Sequence, residues 1–281
     1  MILCAFEHLQ AMALRELSEA GLWDPLGDLR AITDKHFNRD RALDARRLDA
    51  FRDDIAERCA RIPLGHILGY ADFGEQRLLV GSGTFVPRRQ SLAMVRWIER
   101  NLALTGDSTV FDLCAGVGAI GLSIWAGSGA RTFCVDSDAT AQAYLRRNIR
   151  RFDAQREVSV LAADITRPET FAANRGRADL VVSNPPYVPP GIELLPEWSR
   201  HHPPAAIYAR EQGAELIGAS ACLAARLLRP GGVVLIEHGA SQAEQAAAAL
   251  EQHGFHAVRH CQDDDFSDAT GPSVFTLGRA P

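Results

Sequence analysis

The sequence of 281 residues contains no apolar stretch that could cross a membrane, because a spanning helix needs about 20 consecutive apolar residues. It also lacks a signal-peptide pattern, since the apolar start at Met1 is soon interrupted by Glu7 and His8. Strong charge of one sign is missing as well, and the net charge of −5 gives no general attraction to nucleic acid. These absences predict a cytoplasmic protein without a membrane partner, and they leave its oligomeric state open.

Residues that bind metals or form disulfides are not clustered in this sequence. The six cysteines occur without any C-x-x-C pair, and several lie in apolar runs, so we expect buried free thiols instead of disulfides. His201 and His202 lie in a proline-rich loop without acidic or cysteine companions at ligand spacing. We therefore predict no metal site.

The apolar content of the chain is sufficient for a substantial core. Hydrophobic residues make up 47% of the chain and charged residues 23%, which predicts one large domain and a smaller one. Apolar residues recur at helical spacing near the start of the chain, at Leu3, Phe6, Leu9, Met12, Leu14, Leu17, Leu43, Leu48, Phe51, Ile55 and Cys59. Two short strands around Gly74 follow, and a helix begins near Ser91. We predict a helical N-terminal domain at 1–68, a hairpin linker at 69–90 and a larger domain at 91–281.

From Thr109 onward, apolar runs typical of strands alternate with helical stretches. This pattern predicts an α/β fold with a mostly parallel sheet that helices cover on both faces. The seven predicted strands are 109–114, 131–136, 157–162, 178–183, 232–237, 255–260 and 273–278. The last two are too close in sequence for a crossover helix, so we expect an antiparallel hairpin at one edge of the sheet.

The stretch Ser183-Asn184-Pro185-Pro186-Tyr187 follows the fourth of these strands. Proline has no backbone N–H and favours extended geometry in the preceding residue, so Asn184 is expected among bare carbonyl acceptors. The side-chain oxygen of Asn184 and the carbonyl of Pro185 could each accept one N–H of a substrate NH2, while Tyr187 offers an aromatic wall. A structural Pro-Pro turn is the alternative interpretation of the same residues.

A glycine-rich loop follows the first of the seven strands. Gly116 and Gly118 would allow the backbone to approach a ligand closely, and Asp136, 20 residues beyond Gly116, could accept hydrogen bonds from two ribose hydroxyls. This spacing is also typical of dinucleotide sites. However, Asp112 lies just before the loop, where a carboxylate would oppose a pyrophosphate and suits the cationic amino group of S-adenosylmethionine. Because Asn184 ends a neighbouring strand, we predict S-adenosylmethionine as the cofactor.

These motifs together resemble the protein-(glutamine-N5) methyltransferases, which modify the Gly-Gly-Gln glutamine of translation release factors. The matching stretches occur in the family's order and run from Arg61 to Gly69, Phe85 to Arg88, Asp112 to Gly121, Val135 to Asp136, Asp179 to Tyr187 and Glu237 to Gln242. The resemblance implies a Rossmann-like class I methyltransferase core with a seven-stranded, mostly parallel sheet. It also implies a helical N-terminal domain that docks the substrate.

The motifs and the resemblance define a set of candidate site residues. Those expected on the cofactor side are Asp112, Cys114, Gly116, Gly118, Asp136, Ser137, Asp164, Ile165 and Asn184. Asp164 and Ile165 would border the adenine, with Asp164 accepting from its exocyclic amine. Those expected on the acceptor side are Arg88, Asn184, Pro185, Pro186 and Tyr187. Asn184, Pro185 and Tyr187 are the expected catalytic residues.

Several positions near the presumed acceptor cleft depart from the family pattern. The usual Pro-Arg-Pro-Glu-Thr-Glu is Pro-Arg-Arg-Gln-Ser-Leu here, from Pro87 to Leu92, and the usual Glu-Pro is His202-Pro203. The changed residues considered to flank the cleft are Arg89, Gln90, His202, Arg210 and Gln212. Such changes alter the acceptor before they alter the reaction, so they predict that a bacterial release factor is a poor substrate.

The leading functional prediction is still an S-adenosylmethionine-dependent methyltransferase that acts on a protein glutamine side-chain amide, as release-factor enzymes do. Three alternatives stay open: a small-molecule amide or amine as acceptor, an exocyclic amine of nucleic acid, and a non-catalytic module that keeps the cofactor fold. A nucleic-acid acceptor is disfavoured because a DNA enzyme also needs a base-flipping and target-reading domain. The retention of Asn184 and Tyr187 weakens the non-catalytic alternative.

Overall fold

The computed structural model of the chain describes residues 2–37, 44–268 and 271–281. Its N-terminal part is helical, with α1 (Ile2–Glu19), α2 (Pro25–Phe37), α3 (Ala45–Cys59) and α4 (Leu64–Leu68), followed by a hairpin of β1 (Tyr70–Phe73) and β2 (Gln76–Leu79). The remaining elements are α5 (Leu92–Asn101), β3 (Thr109–Leu113), α6 (Ala119–Ser128), β4 (Arg131–Asp136), α7 (Ala139–Arg151), β5 (Val158–Ala162), β6 (Ala178–Ser183), α8 (Pro196–His201), α9 (Glu215–Leu227), β7 (Leu228–Glu237), α10 (Ala243–Gln252), β8 (His256–Asp268) and β9 (Gly271–Arg279).

A single seven-stranded sheet forms the centre of the larger part of the molecule. Its strand order is β5-β4-β3-β6-β7-β9-β8, and β9 alone runs antiparallel to its neighbours. The central strands are continuous apolar runs because helices cover both faces of the sheet, and Phe111, Val181 and Val234 are fully buried. The predicted α/β fold and the antiparallel edge hairpin are thus confirmed.

The N-terminal helices have a hydrophobic cluster of their own. Leu17 of α1, Ile32 of α2 and Phe51 of α3 are fully buried within it. The side chains of Leu3 and Leu43, which belong to the predicted helical pattern, lie outside the described residues. Sequence reasoning missed α2, although a proline at its first position and Asp28 in its first turn are helix-start signals.

Two elements near the acceptor side also differ from the sequence prediction. The prediction ended β8 at residue 260, whereas the strand continues to Asp268 because its charged second half pairs with β9. That half carries three consecutive aspartates and gives no apolar periodicity. The short helix α8 was missed as well, because its six residues are too few to show helical spacing.

Several kinds of feature are absent from the part of the chain that the structure describes. Its five cysteines, Cys59, Cys114, Cys134, Cys222 and Cys261, are free thiols, and the side chain of Cys4 lies outside the described residues. Across the same residues, no group of three histidine, cysteine or acidic side chains is arranged to hold a metal ion. None of the described helices combines the length and apolar character that a membrane crossing requires.

A buried ionic network joins the N-terminal helices to α8. Arg58 of α3 donates to Asp28 at 2.7 Å and to Glu197 of α8 at 3.1 Å. Arg61, just after α3, forms a two-pronged contact with the same Glu197 at 2.8 Å on each oxygen. The side chains of Arg58 and Glu197 are only 8% and 11% exposed. Since these charges are nearly removed from water, each depends on its partners for compensation.

We expect Glu197→Ala to lower the free energy of unfolding by about 3–5 kcal/mol, because it leaves buried guanidinium groups without this carboxylate. Urea denaturation at neutral pH measures the change. The matched control is Glu19→Ala, which removes a salt bridge to Arg15 whose glutamate side chain is 63% exposed and should cost less than about 1 kcal/mol. Equal losses for the two variants would contradict the assignment of this network as a structural link.

Candidate active site

The register of the parallel strands places four side chains in one row at the carboxyl edge of the sheet. Leu113 of β3 pairs with Val135 of β4 on one side and with Ser183 of β6 on the other, and Ser183 pairs in turn with Ile236 of β7. The residues that follow these paired positions are Cys114, Asp136, Asn184 and Glu237, and all four line one cavity. Ligands of open α/β sheets bind at this edge.

The cavity has a volume of about 370 Å³, which lies within the range of small-molecule and cofactor sites. Twelve of the thirteen residues predicted from the sequence line it: Arg88, Asp112, Cys114, Gly116, Asp136, Ser137, Asp164, Ile165, Asn184, Pro185, Pro186 and Tyr187. The exception is Gly118, which caps α6 with a φ of 93°. A Cβ there would overlap the Leu145 side chain, so this glycine permits close packing and does not form part of the cavity wall.

Asp112 contributes a buried carboxylate with one open oxygen. Its Oδ2 accepts from the Gly121 N–H at 2.8 Å, whereas no donor among the described residues reaches its buried Oδ1. Burial raises the pKa of Asp112 to about 7 because the carboxylate loses its hydration. A buried acceptor of this kind needs a donor, preferably a cation.

Two further carboxylates line the cavity beyond Asp112. Asp136 accepts from the N–H groups of Gly116 at 2.7 Å and Asp138 at 2.8 Å, each on a different oxygen, which leaves further lone pairs for ribose hydroxyls. Burial raises the pKa of Asp136. Asp164 accepts from the hydroxyl and the N–H of Thr166 through Oδ1, and these hydrogen bonds lower its pKa. Asp164 is therefore an ionised acceptor at neutral pH.

The loop between β3 and α6 has unusual backbone geometry where it faces the cavity. Gly116 has a φ of 55°, and a Cβ there would meet nothing within 4 Å, so the cavity remains open beside it. Cys114 adopts a φ of 58°, which is uncommon for a residue with a Cβ. Burial raises the pKa of its thiol well above the usual value. Cys114 is consequently a neutral, apolar part of the wall.

On the acceptor side, Asn184 lies in a short chain of hydrogen bonds. Its Nδ2 donates to the hydroxyl of Ser91 at 2.9 Å, and that hydroxyl donates to Glu237 Oε2 at 2.6 Å. Within the described ranges, no donor reaches Asn184 Oδ1 or the carbonyl oxygen of Pro185. Two neighbouring acceptors are therefore available to a ligand NH2, as the sequence predicted from the two prolines.

Aromatic and charged side chains complete the acceptor side. The Arg88 guanidinium forms a forked salt bridge with Asp268 at 2.8 to 3.1 Å and lies 4.5 Å from the centre of the Trp198 ring. Tyr187 is held through its main chain, because Gln242 Nε2 donates to the Tyr187 carbonyl at 2.8 Å. Burial raises the pKa of the Tyr187 phenol, so it stays neutral. The resulting wall suits an uncharged acceptor group.

Sequence reasoning missed the roles of Ser91, Trp198, Glu237 and Asp268. Ser91 and Glu237 lie in stretches that were compared with the family. Their hydrogen bonds join residues far apart in the chain, so no local sequence pattern could predict them. Trp198 lies on the missed helix α8, and Asp268 lies at the end of the extended β8. Tertiary packing alone brings Trp198 to the cavity and Asp268 to Arg88 in the cavity wall.

The five changed residues do not surround the acceptor cleft as the sequence suggested. Gln90 lines the cavity, but Arg89, His202, Arg210 and Gln212 are not among its lining residues. Burial lowers the pKa of His202 to about 3, and its neutral ring accepts from the Val86 N–H. Arg210 is exposed and pairs with Glu215. Of the five, Gln90 alone therefore lies where a changed side chain alters the cavity lining.

The chain is similar in sequence to several known proteins. A sequence-family signature described as "Conserved hypothetical protein 95" matches residues 89–200. The release factor glutamine methyltransferase of Mycolicibacterium smegmatis is 36% identical over 250 residues, which cover 86% of this chain and 87% of that protein. The 4-amino-L-phenylalanine/4-methylamino-L-phenylalanine methyltransferase of Streptomyces pristinaespiralis is 35% identical over 207 residues, which cover 71% of this chain and 69% of that protein.

The chain belongs to the release factor glutamine methyltransferase family. A solved structure from Pyrococcus horikoshii, described as a transferase, shares the fold with a TM-score of 0.51 at 16% identity, over 75% of this chain and 71% of that one. The protein is an S-adenosylmethionine-dependent methyltransferase with a class I methyltransferase fold. The predicted family, fold, enzyme class and cofactor are confirmed. The open Oδ1 of Asp112 fits the cationic amino group of this cofactor.

We expect the affinity for S-adenosylhomocysteine, which has the same amino group, to weaken as the pH falls below about 7. The pKa of Asp112 in the free protein is raised to about 7, so below this pH a proton must leave Asp112 before its carboxylate can pair with the ammonium. The loss should approach tenfold per pH unit. Calorimetric titrations between pH 5.5 and 8 measure this slope.

The matched control is Asp112→Asn, which keeps the size of the side chain and cannot ionise. It should bind more weakly at pH 8, and its affinity should change less between pH 7 and 6 than that of the wild type. Asp136 remains in both proteins, so the difference between the two slopes belongs to Asp112. Parallel slopes would show that Asp112 does not pair with the amino group.

Proposed function

We propose that the protein methylates the side-chain amide nitrogen of a glutamine in a peptide chain release factor. The observation that carries this proposal is the pair of open acceptors, Asn184 Oδ1 and the Pro185 carbonyl, beside the cavity. A primary amide presents two N–H donors, which is the number that these oxygens accept. The 36% identity to the Mycolicibacterium smegmatis enzyme over most of both chains supports the same acceptor.

The mechanism follows from how this chain holds the acceptor. S-adenosylmethionine, when bound, supplies a methyl group on a positively charged sulfur. Asn184 and Pro185 accept the two N–H groups of the amide, so the nitrogen lone pair stays outside these hydrogen bonds. Tyr187 and Pro186 line the cavity beside the substrate amide and limit the rotation of its plane. The N–C bond forms as the S–C bond breaks, and the nitrogen then releases one proton to water. Orientation of this kind can contribute about 7–11 kcal/mol.

The other residues have proposed roles that follow from their positions in the cavity. Asp112 binds the amino group of the cofactor, Asp136 its ribose, and Asp164 with Ile165 its adenine. The backbone at Cys114, Gly116 and Ser137 lines the cavity beside the remaining part of the cofactor. Gly118 instead packs against Leu145 on the side of the loop away from the cavity. Arg88 is fixed by Asp268 and contributes to the wall on the acceptor side. We further propose a cytoplasmic location, in line with a release-factor substrate.

The N-terminal helices are proposed to dock the protein substrate. We propose domain limits of 1–68 for the docking domain, 69–90 for the linker and 91–281 for the methyltransferase domain. The separate hydrophobic cluster of the N-terminal helices supports this division. The network of Arg58, Arg61 and Glu197 then connects the docking helices with α8. Helix α8 carries Trp198 of the cavity wall. A bound substrate could therefore contact the helices and the cavity at once.

A small aromatic amine is the second candidate acceptor. The relative from Streptomyces pristinaespiralis is named for two amino-substituted phenylalanines and is 35% identical to this chain. An aromatic NH2 has the same two donors as an amide, and Tyr187 and Trp198 provide flat apolar surface for a ring. This acceptor would not need the docking domain.

The acceptor assay uses full-length enzyme with labelled S-adenosylmethionine and three substrates: a release factor, the same factor with its Gly-Gly-Gln glutamine replaced by alanine, and 4-amino-L-phenylalanine. We expect one methyl group on the glutamine, located by peptide mass spectrometry, and none on the alanine variant. Labelling of the amino acid alone would replace the proposed acceptor with the second candidate. A release factor methylated only slowly would instead support the sequence prediction that it is a poor substrate.

Asn184→Ala should leave the affinity for S-adenosylhomocysteine unchanged and lower kcat/KM by about 3–4 kcal/mol, because it removes a preorganised contact to the reacting nitrogen. The matched control is Asn101→Ala at the end of α5, where the exposed side chain donates to the Trp97 carbonyl and is not part of the cavity lining. That variant should keep wild-type kinetics. An equal loss of cofactor affinity in Asn184→Ala would indicate a structural asparagine.

A further inference from the structure

The direction of the Asn184 amide decides whether the acceptor site can work. The oxygen and nitrogen ends of an asparagine side chain have nearly the same shape, so packing alone does not choose between them. With Oδ1 toward the acceptor, the side chain accepts an N–H. With Nδ2 toward the acceptor, two donors would oppose each other. A residue that fixes this direction therefore acts on the reaction through Asn184.

Ser91 determines which end of the Asn184 amide faces the Ser91 hydroxyl and which end is left for the acceptor. Its hydroxyl has one proton, and that proton is donated to Glu237 Oε2 at 2.6 Å. The hydroxyl oxygen can then only accept at its other contact, which is Asn184 Nδ2 at 2.9 Å. Since an ionised carboxylate can only accept, Glu237 sets the polarity of the whole chain of hydrogen bonds. Nδ2 is thereby held on Ser91, and Oδ1 is left for the ligand.

The fold holds these three residues together from three elements. Ser91 ends the short turn just before α5, Asn184 follows β6, and Glu237 ends β7. The pairing of Ser183 with Ile236 makes Asn184 and Glu237 direct neighbours across the sheet. Ser91 and Glu237 are 3% and 2% exposed, so water does not compete effectively for their hydrogen bond. The charged and titratable groups that face Glu237 are Arg88, Tyr187 and Asp268.

We infer that Ser91 and Glu237 are positioning residues that orient the Asn184 amide for an NH2 acceptor. The inference rests on the proposed function, because it requires a nitrogen acceptor held by Asn184. It applies equally to an amide and to an aromatic amine, since both present two N–H donors. Protonation of Glu237 would remove the fixed direction of these hydrogen bonds. A carboxylic acid can donate to the Ser91 hydroxyl, which could then donate to Asn184 and allow the amide to turn.

The kinetic test compares Ser91→Ala, Ser91→Thr and Glu237→Gln with the wild type at saturating cofactor. Ser91→Ala should lower kcat about tenfold to a hundredfold, as the loss of orientation at a reacting group does. Ser91→Thr keeps the hydroxyl and should restore most of the rate. Glu237→Gln should also lower kcat, because its amide can either donate or accept. Ser18→Ala, an exposed serine on α1, is the control and should match the wild type.

Two further readouts separate positioning from a general structural effect. If Glu237 acts through Ser91, the double variant should be no slower than Ser91→Ala alone. In a plot of kcat against pH, the fall in kcat toward acidic pH should be present in the wild type and absent in Ser91→Ala. Burial raises the pKa of Glu237, so this fall should begin at a higher pH than an ordinary glutamate would give, with activity present above it and lost below. Additive losses, or an unchanged fall in Ser91→Ala, would overturn the inference.

A measurement without an acceptor tests the network independently of the proposed function. The NMR experiment uses the protein with bound S-adenosylhomocysteine. The Asn184 Nδ2 proton that is hydrogen-bonded to Ser91 should exchange slowly with solvent in the wild type and in Ser91→Thr. It should exchange faster in Ser91→Ala. Equal exchange in all three proteins would refute the inference even if methyl transfer is found. A wild-type enzyme inactive on every acceptor but with slow exchange would refute the acceptor assignment and leave the orientation of Asn184 supported.

Discussion

The register of the parallel strands is the constraint on which the rest of the site depends. Leu113 pairs on one side with Val135 and on the other with Ser183, and Ser183 pairs with Ile236. These residues are fully buried or nearly so, and a slip of one residue would turn apolar side chains toward the cavity and polar ones into the core. The side chains that follow therefore reach the edge of the sheet in a fixed row. The residues proposed for the cofactor and for the acceptor meet there because of this alignment.

The cavity carries an excess of hydrogen-bond acceptors over donors. Asp112, Asp136 and Glu237 are three carboxyl groups whose burial raises their pKa values. Such groups destabilise a folded protein unless donors compensate them. Backbone N–H groups and Ser91 compensate part of this charge, and the open oxygen of Asp112 has no donor among the described residues. A ligand with an ammonium group, two hydroxyls and a neutral NH2 supplies the donors that this wall lacks.

The two ends of the chain contribute to the acceptor side by different means. Glu197 of α8 is bound to Arg58 and Arg61, which couples the wall residue Trp198 to the N-terminal helices. At the other end, Asp268 fixes Arg88 from the extended β8. Both contacts join residues more than 130 positions apart in sequence. The acceptor side is thus assembled from distant segments, whereas most of the cofactor side comes from consecutive strands and their loops.

That difference explains what the sequence determined by itself. Apolar runs, the glycine loop and the Asn-Pro-Pro-Tyr stretch are local patterns, and they predicted the sheet and its antiparallel edge. Of the thirteen site residues expected from the motifs and the resemblance, twelve line the cavity. Gly118 was assigned to the cavity because glycine spacing does not distinguish a ligand contact from close packing against Leu145. Only the tertiary structure decided the roles of Ser91, Trp198, Glu237 and Asp268. Their contacts depend on strand register and helix packing across the whole chain, and a hydrogen bond between distant residues has no periodicity from which a sequence could predict it.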